Sequence, residues 1–276
     1  MPNIRRPAVA GMFYPSNPNV LKQTIRQYIE QVEETSFNST PSALLVPHAG
    51  YPYSGPVAAY AYKLIENKSF ETVLLFGVNH RAAGFYGISV FNGDIYQTPL
   101  GDVNIDKDFI RLLKEENRSL DSNIQVHSQE HSVEVQVPFL QEVLKDSFKI
   151  VSVLISDYSP STCRKLGEAA GKIMSDRNAL LIISTDLSHY HSYNEGVQMD
   201  SQALEYIENY DIESLIEKTK QGKIELCGFG PVIAGMYCCK FLNVEHTAIL
   251  HYANSGDITG DRSQVVGYAS VGFFKE

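Results

Sequence analysis

Val46-Pro47-His48-Ala49-Gly50-Tyr51 closes a short apolar run that begins at Ala43, and it puts a histidine, then a glycine, where a buried strand should stop. Histidines sit at similar strand ends twice more. His80 follows Leu74-Leu75-Phe76-Gly77-Val78-Asn79, and His189 follows Leu180-Leu181-Ile182-Ile183-Ser184-Thr185-Asp186. Continuous apolar runs of this length suit strands buried on both faces, as in a parallel sheet. In open α/β sheets, ligands bind in the crevice outside the carboxyl ends of the strands. Three histidines delivered to one sheet edge make a metal or acid/base site the leading expectation.

Around these strands the pattern alternates. Asn17 or Ser16 can cap a helix with Pro18 near its start, and Leu21, Ile25, Tyr28, Ile29 and Val32 then share one face. A second helix is expected from about Gly55 to Ile65, and Thr72–Val78 reads as a buried strand. Tyr86–Phe91 reads as a further strand, and Asp106 as the cap of the helix that follows it. Val133, Val137, Leu140 and Leu144 form a helical stripe interrupted by Pro138, where the helix starts late or kinks. Lys149–Ile155 is a strand, Ser161–Met174 a helix, and helices are expected near Glu195–Asn209, Ile212–Lys220 and Val232–Leu242. Two strands close the chain, Thr247–Tyr252 and Val265–Phe274, with Asn254–Arg262 as a polar loop between them. Alternation of this kind predicts a three-layer α/β/α sandwich around a central, mostly parallel sheet. No linker or shift in composition divides the 276 residues, so a single domain over 1–276 is expected.

Charge narrows the function. The formal net charge is −9, and no basic run exceeds Arg5-Arg6, which argues against nucleic acid as a partner. No apolar stretch approaches the roughly 20 residues of a membrane span, and the first residues lack the apolar segment of a signal peptide. Four cysteines without a C-x-x-C pair fit a reduced, cytoplasmic setting.

His48 and His80 are the best pair of candidate ligands, since neutral imidazole is the commonest protein ligand for metals. A strand-end histidine can instead bond backbone groups, but two at equivalent topological positions favour function. His189 lies close to Asp186, which could fix its tautomer and raise its basicity, as a ligand or as an acid/base. His131 and Glu134 have i, i+3 spacing and would share a helix face, for a supporting or structural role. Cys227 precedes Gly228-Phe229-Gly230-Pro231, a turn leading into a helix whose N-terminus would lower a thiol pKa. A small buried apolar role for Cys227 fits the sequence as well. Tyr51 and Tyr53 either line a pocket or pack in the core. His191 is expected at the surface.

Taken together, Arg6-Pro7-Ala8-Val9-Ala10-Gly11-Met12-Phe13-Tyr14-Pro15, Pro47-His48-Ala49-Gly50-Tyr51, Gly77-Val78-Asn79-His80, Glu130-His131-Ser132-Val133-Glu134, Ser184-Thr185-Asp186-Leu187-Ser188-His189-Tyr190 and Leu226-Cys227-Gly228 resemble the Memo family. That family also includes the B component of the AmmeMemoRadiSam set. The resemblance implies a fold similar to class III extradiol dioxygenases of the LigB type. It implies one mononuclear metal ion at His48, His80 and Cys227, with His189 and Asp186 in the catalytic position. Extradiol sites use two histidines and a carboxylate. A soft thiolate in place of the carboxylate points to iron or copper, with zinc as an alternative, and leaves ring cleavage open. Two readings follow: a metal-dependent oxidoreductase acting on a small substrate, or a non-catalytic module whose cleft holds a peptide or a partner protein, such as others of that set. A hydrolase built on Cys227, His189 and Asp186 is the weakest, lacking a G-x-S-x-G elbow.

Overall fold

A computed structural model describes residues 2–33, 37 and 39–275. The elements run in the order β1 (Ile4–Arg5), α1 (Pro18–Glu30), β2 (Pro41–Val46), α2 (Tyr51–Lys63), β3 (Thr72–Val78), β4 (Ile88–Val90), β5 (Ile95–Thr98), β6 (Gly101–Ile105) and α3 (Lys107–Glu116). Then come α4 (Ile124–Ser128), a 3-10 turn at Glu134–Gln136, α5 (Val137–Val143), β7 (Lys149–Ile155), α6 (Pro160–Met174), β8 (Ala179–Ser184) and β9 (His189–His191). The chain continues through α7 (Tyr193–Glu208), α8 (Ile212–Lys220), α9 (Phe229–Phe241), β10 (His246–Asn254), α10 (Ser255–Thr259) and β11 (Val265–Phe274).

The strands form one mixed sheet in the order β1-β5-β6-β7-β3-β8-β2-β11-β10, with β4 on β7 and β9 on β11. Its centre, β6-β7-β3-β8-β2, is parallel; β5 on β6, β11 on β2 and β10 on β11 are antiparallel, and β1 adds to β5 in parallel. Every residue of β3 is buried, as a strand covered on both faces requires. Helices α1, α2 and α5 pack together, with α2 against β2 and β11. Helix α9 lies on β2, β3 and β8, and α6 packs on α9. The result is the three-layer α/β/α sandwich around a sheet that is parallel at its centre.

Local chemistry explains most of the elements. Asn17 caps α1 through its side chain, Pro18 occupies the first turn, and Leu21, Ile25 and Ile29 face the core. Asp106 caps α3. Three expectations need correction, and one open choice, at Pro138, is resolved as a late start. Helix α2 begins at Tyr51 rather than Gly55, because Gly50 takes the cap position and Pro52 sits in the first turn, where no N–H partner is needed. Helix α9 likewise starts at Phe229, with Pro231 inside its first turn. The stripe from Val133 divides into the 3-10 turn and α5, with Pro138 in the first turn of α5. The loop Asn254–Arg262 contains α10, closed at its start by an Asn254–Asp257 capping box.

Candidate metal centre

The three adjacent parallel strands β3, β8 and β2 end at the same edge, so chain segments far apart in sequence meet there. His48 lies two residues past β2, His80 two past β3, and Asp186 two past β8. Cys227 joins them from the turn just before the Gly228 cap of α9. The metal-binding atoms of His48, His80 and Cys227 all lie within 4.8 Å of one another. His48 Nε2 is 3.1 Å from Cys227 Sγ.

Close backbone approach makes this convergence feasible. A Cβ on Gly228 would stand 2.6 Å from the Ser184 carbonyl oxygen and from Thr185 Cβ, so only glycine lets the Cys227 turn rest on the end of β8. The Gly228 N–H donates to Thr185 Oγ1 at 2.9 Å. A Cβ on Gly77 would meet Ser132 Oγ at 2.6 Å, so the glycine admits the Glu130–Ser132 segment against the end of β3.

That segment holds the carboxylate that sequence reasoning missed. Glu130 Oε1 is 3.0 Å from His80 Nδ1, and it accepts the His131 and Ser132 N–H groups at 2.8 and 2.9 Å. Its Oε2 accepts the His80 N–H at 2.5 Å. A carboxylate on Nδ1 fixes the tautomer of a ligand histidine and leaves Nε2 free. Burial pushes the Glu130 pKa up, but the His80 hydrogen bond, the nearby imidazoles and the backbone donors outweigh it and bring it to about 2. The only local signal was an acid beside His131; its pairing with His80, 50 residues away, is tertiary.

The i, i+3 reading of His131 and Glu134 does not hold, since this stretch is not helical until the 3-10 turn. The two side chains part. His131 stacks on His80 with ring centres 4.7 Å apart and lies edge-on to His48. Phe13 covers it at 4.7 Å. Burial lowers the His131 pKa to about 4 despite Glu130, and its buried Nδ1 has no hydrogen-bond partner among the described residues. Glu134 is fully buried and turned to the N-terminal segment, where it pairs with Arg5 and accepts from Ala8 N, Val9 N and Tyr14 OH. Tyr51 is buried between Tyr14 and Phe139, with its hydroxyl on the Val135 carbonyl. Its packing is that of a core residue, whereas Tyr53 is exposed.

Asp186 does not hydrogen-bond His189. Its Oδ1 accepts the His48 N–H at 2.6 Å, and burial raises its pKa to about 6 against that bond. The His189 Nδ1 instead meets the Leu187 carbonyl at 2.8 Å. A carbonyl only accepts, so Nδ1 carries a proton, and Nε2 is the nitrogen left outside that bond. Asp186, His189 and Cys227 still offer ligand atoms within 4.8 Å of one another. His191 is half-buried and paired with Glu225, apart from the centre.

The helix-terminus argument for an acidic Cys227 also fails. Burial, then the Asp186 charge, drive its pKa up, and the Asp186 and Gly228 backbone bonds do not compensate. Burial and its histidine neighbours hold His48 well below the usual imidazole range, hence neutral. Two imidazoles and a thiol make a donor set that suits a transition metal, and binding would release the thiol proton.

The fold and these donors define an α/β protein with a candidate His/His/Cys centre at the carboxyl edge of a parallel sheet. Residues 5–272 match the family model described as Memo-like protein. A MEMO1 family protein of Methanopyrus kandleri is 38% identical over 279 residues, covering 98% of both chains. A MEMO1 family protein of Methanocaldococcus jannaschii is 39% identical over 286 residues, 98% of this chain and 99% of its own. One from Aquifex aeolicus is 37% identical over 273 residues, with 98% and 99% coverage. The chain belongs to the Memo family. Among the described residues no helix is long and apolar enough to cross a membrane.

Proposed function

We propose that this protein is a metal-dependent oxidoreductase, dioxygenase-like, acting on a small organic substrate with one metal ion held by His48, His80 and Cys227. The observation that carries the reading is the approach of their ligand atoms within 4.8 Å, at the edge where α/β sheets bind ligands. Iron or copper, with zinc as the alternative, fits two imidazoles and a thiolate. Such an ion would supply a Lewis acid and, for iron or copper, a redox centre.

The chain's own residues would do the rest. Glu130 and Ser184 orient the two imidazoles through Nδ1. His189, with Nδ1 on the Leu187 carbonyl, would take or return a substrate proton at Nε2. Asp186 would hold the His48 backbone in place and keep a carboxyl beside Cys227. Phe13 and His131 would wall off water beside His80.

Metal analysis of protein purified without chelator tests this, with His48→Ala and Cys227→Ala beside it. Stoichiometric redox metal in the wild type and its loss in both variants is expected. Full occupancy in both variants would sink the assignment. Oxygen uptake after anaerobic loading, with simple catechols offered, tests the reaction. No uptake together with tight binding of a partner protein would favour the binding-module reading.

A further inference from the structure

We infer that Ser184 and Gln136 are positioning residues that lock His48 in its Nδ1–H tautomer and so present a bare Nε2 to Cys227. The inference rests on the reading of His48 as a ligand, but the tautomer itself follows from counting protons through a buried chain of hydrogen bonds.

The count starts at a group with no choice. The Pro47 carbonyl can only accept, and Gln136 Nε2 lies 2.9 Å from it. Reversing the amide would set two oxygens face to face there. The other end of the amide agrees, since Gln136 Oε1 accepts the Tyr62 hydroxyl at 2.8 Å. The second Nε2 proton then points to Ser184 Oγ, at 2.9 Å. Ser184 has one proton of its own, and it goes to the Ser132 carbonyl at 2.6 Å, again a group that only accepts. Ser184 Oγ therefore has only a lone pair left for His48 Nδ1, at 3.0 Å. The imidazole must donate, so Nδ1 carries the proton.

Burial enforces the count. His48, Tyr62, Gln136 and Ser184 are each at most 2% exposed, so water cannot substitute for a missing partner. A bare Nδ1 would face the Ser184 lone pair with no proton between them and leave a buried polar group unpaired, at about 1–3 kcal/mol. In the neutral ring that this burial favours, Nε2 is then the unprotonated nitrogen, facing Cys227 Sγ at 3.1 Å.

The same stretch of chain serves the second imidazole. Glu130 accepts from His80 Nδ1, while the Ser132 carbonyl and Gln136 direct Ser184 toward His48. One segment, Glu130–Gln136, thus orients both histidines, one through a carboxylate and one through a neutral relay. The relay keeps charge away from His48, which already has the Asp186 carboxyl on its backbone N–H.

The test is long-range proton–nitrogen NMR on histidine-labelled, metal-free protein, with His48 assigned through His48→Gln. The wild type is expected to show Nδ1–H at His48. Ser184→Ala removes the acceptor and is expected to move the proton to Nε2, where Cys227 Sγ accepts it, while His80 stays Nδ1–H on Glu130. The Co2+ dissociation constant, read from thiolate charge-transfer absorption, should rise about 10–100-fold in that variant. Gln136→Met should raise it less, since Ser184 keeps its bond to Ser132. An Nε2–H tautomer in the wild type overturns the inference, and that measurement needs no substitution to fold. So does Ser184→Ala with tautomer and affinity both unchanged. The expected tautomers in a wild type that binds no Co2+, zinc or iron would keep the positioning chain and discard the ligand reading.

Discussion

Replacing Glu134 with glutamine separates the scaffold from the centre. Glu134 and Arg5 side chains are 0% and 1% exposed, and the carboxylate is the one charge paired with that guanidinium among the described residues. It also accepts two backbone N–H groups, Ala8 at 2.8 Å and Val9 at 3.0 Å, and the Tyr14 hydroxyl at 2.5 Å. Glutamine keeps the shape, but its NH2 end meets donors and Arg5 loses its counter-charge. Breaking one side of a buried pair costs about 3–5 kcal/mol, because the remaining charge stays buried. At about 2–4 °C per kcal/mol for a chain of this size, melting should fall by roughly 6–20 °C. Arg5→Met combined with Glu134→Leu should recover most of the loss, since apolar replacement of a whole buried pair is often neutral. Calorimetry with metal analysis reads both quantities. The folded variant should keep the wild-type metal content, because the carboxylate faces Arg5 and Tyr14 rather than His80. A stability loss under ~1 kcal/mol, or metal lost from a folded variant, would refute the reasoning.

Gly228→Ala should cost about 1–3 kcal/mol and lower metal occupancy, since its Cβ must push the Cys227 turn off Ser184 and Thr185; unchanged occupancy by metal analysis argues against the close-approach argument. Glu130→Gln should weaken metal binding about 10–100-fold in competition titrations, and an unaltered affinity would remove its orienting role for His80. His127 is buried between Ser89 and Ser152, and burial followed by the Arg5 charge lowers its pKa to about 3. Because the folded value lies below the unfolded ~6.5, this histidine's contribution is complete above that pH and is lost as pH falls toward 3. At pH 5 the loss is about 2 kcal/mol. Urea titrations at pH 7 and pH 5 should show His127→Gln losing that much less than wild type; equal losses would mean that His127 is not what titrates.

What was legible from the chain alone was whatever local physics decides. The strands Thr72–Val78, Lys149–Ile155 and Val265–Phe274 and the helix Ile212–Lys220 have the bounds that their apolar runs and periodicity predict, because burial on both faces or one stripe writes itself into neighbouring residues. The strand-end histidines were visible for the same reason, and with them the edge where the candidate ligand atoms gather. Short elements with mixed composition were not. Strand β1 and the β5–β6 hairpin owe their existence to partners across the sheet, Ile4 beside Ile95 and Tyr96 opposite Val103. The chemistry of the centre was decided further still from the sequence. Which acceptor holds each imidazole depends on Glu130, Ser184 and Leu187 arriving within 3 Å, and spacing does not encode those distances. Whether Cys227 is thiol or thiolate in the metal-free protein follows from the burial and the Asp186 charge around it, not from the helix it precedes. Hydrogen-bond partners and desolvation are properties of the packed chain, so the site's place could be read along the sequence while its protonation had to wait for the fold.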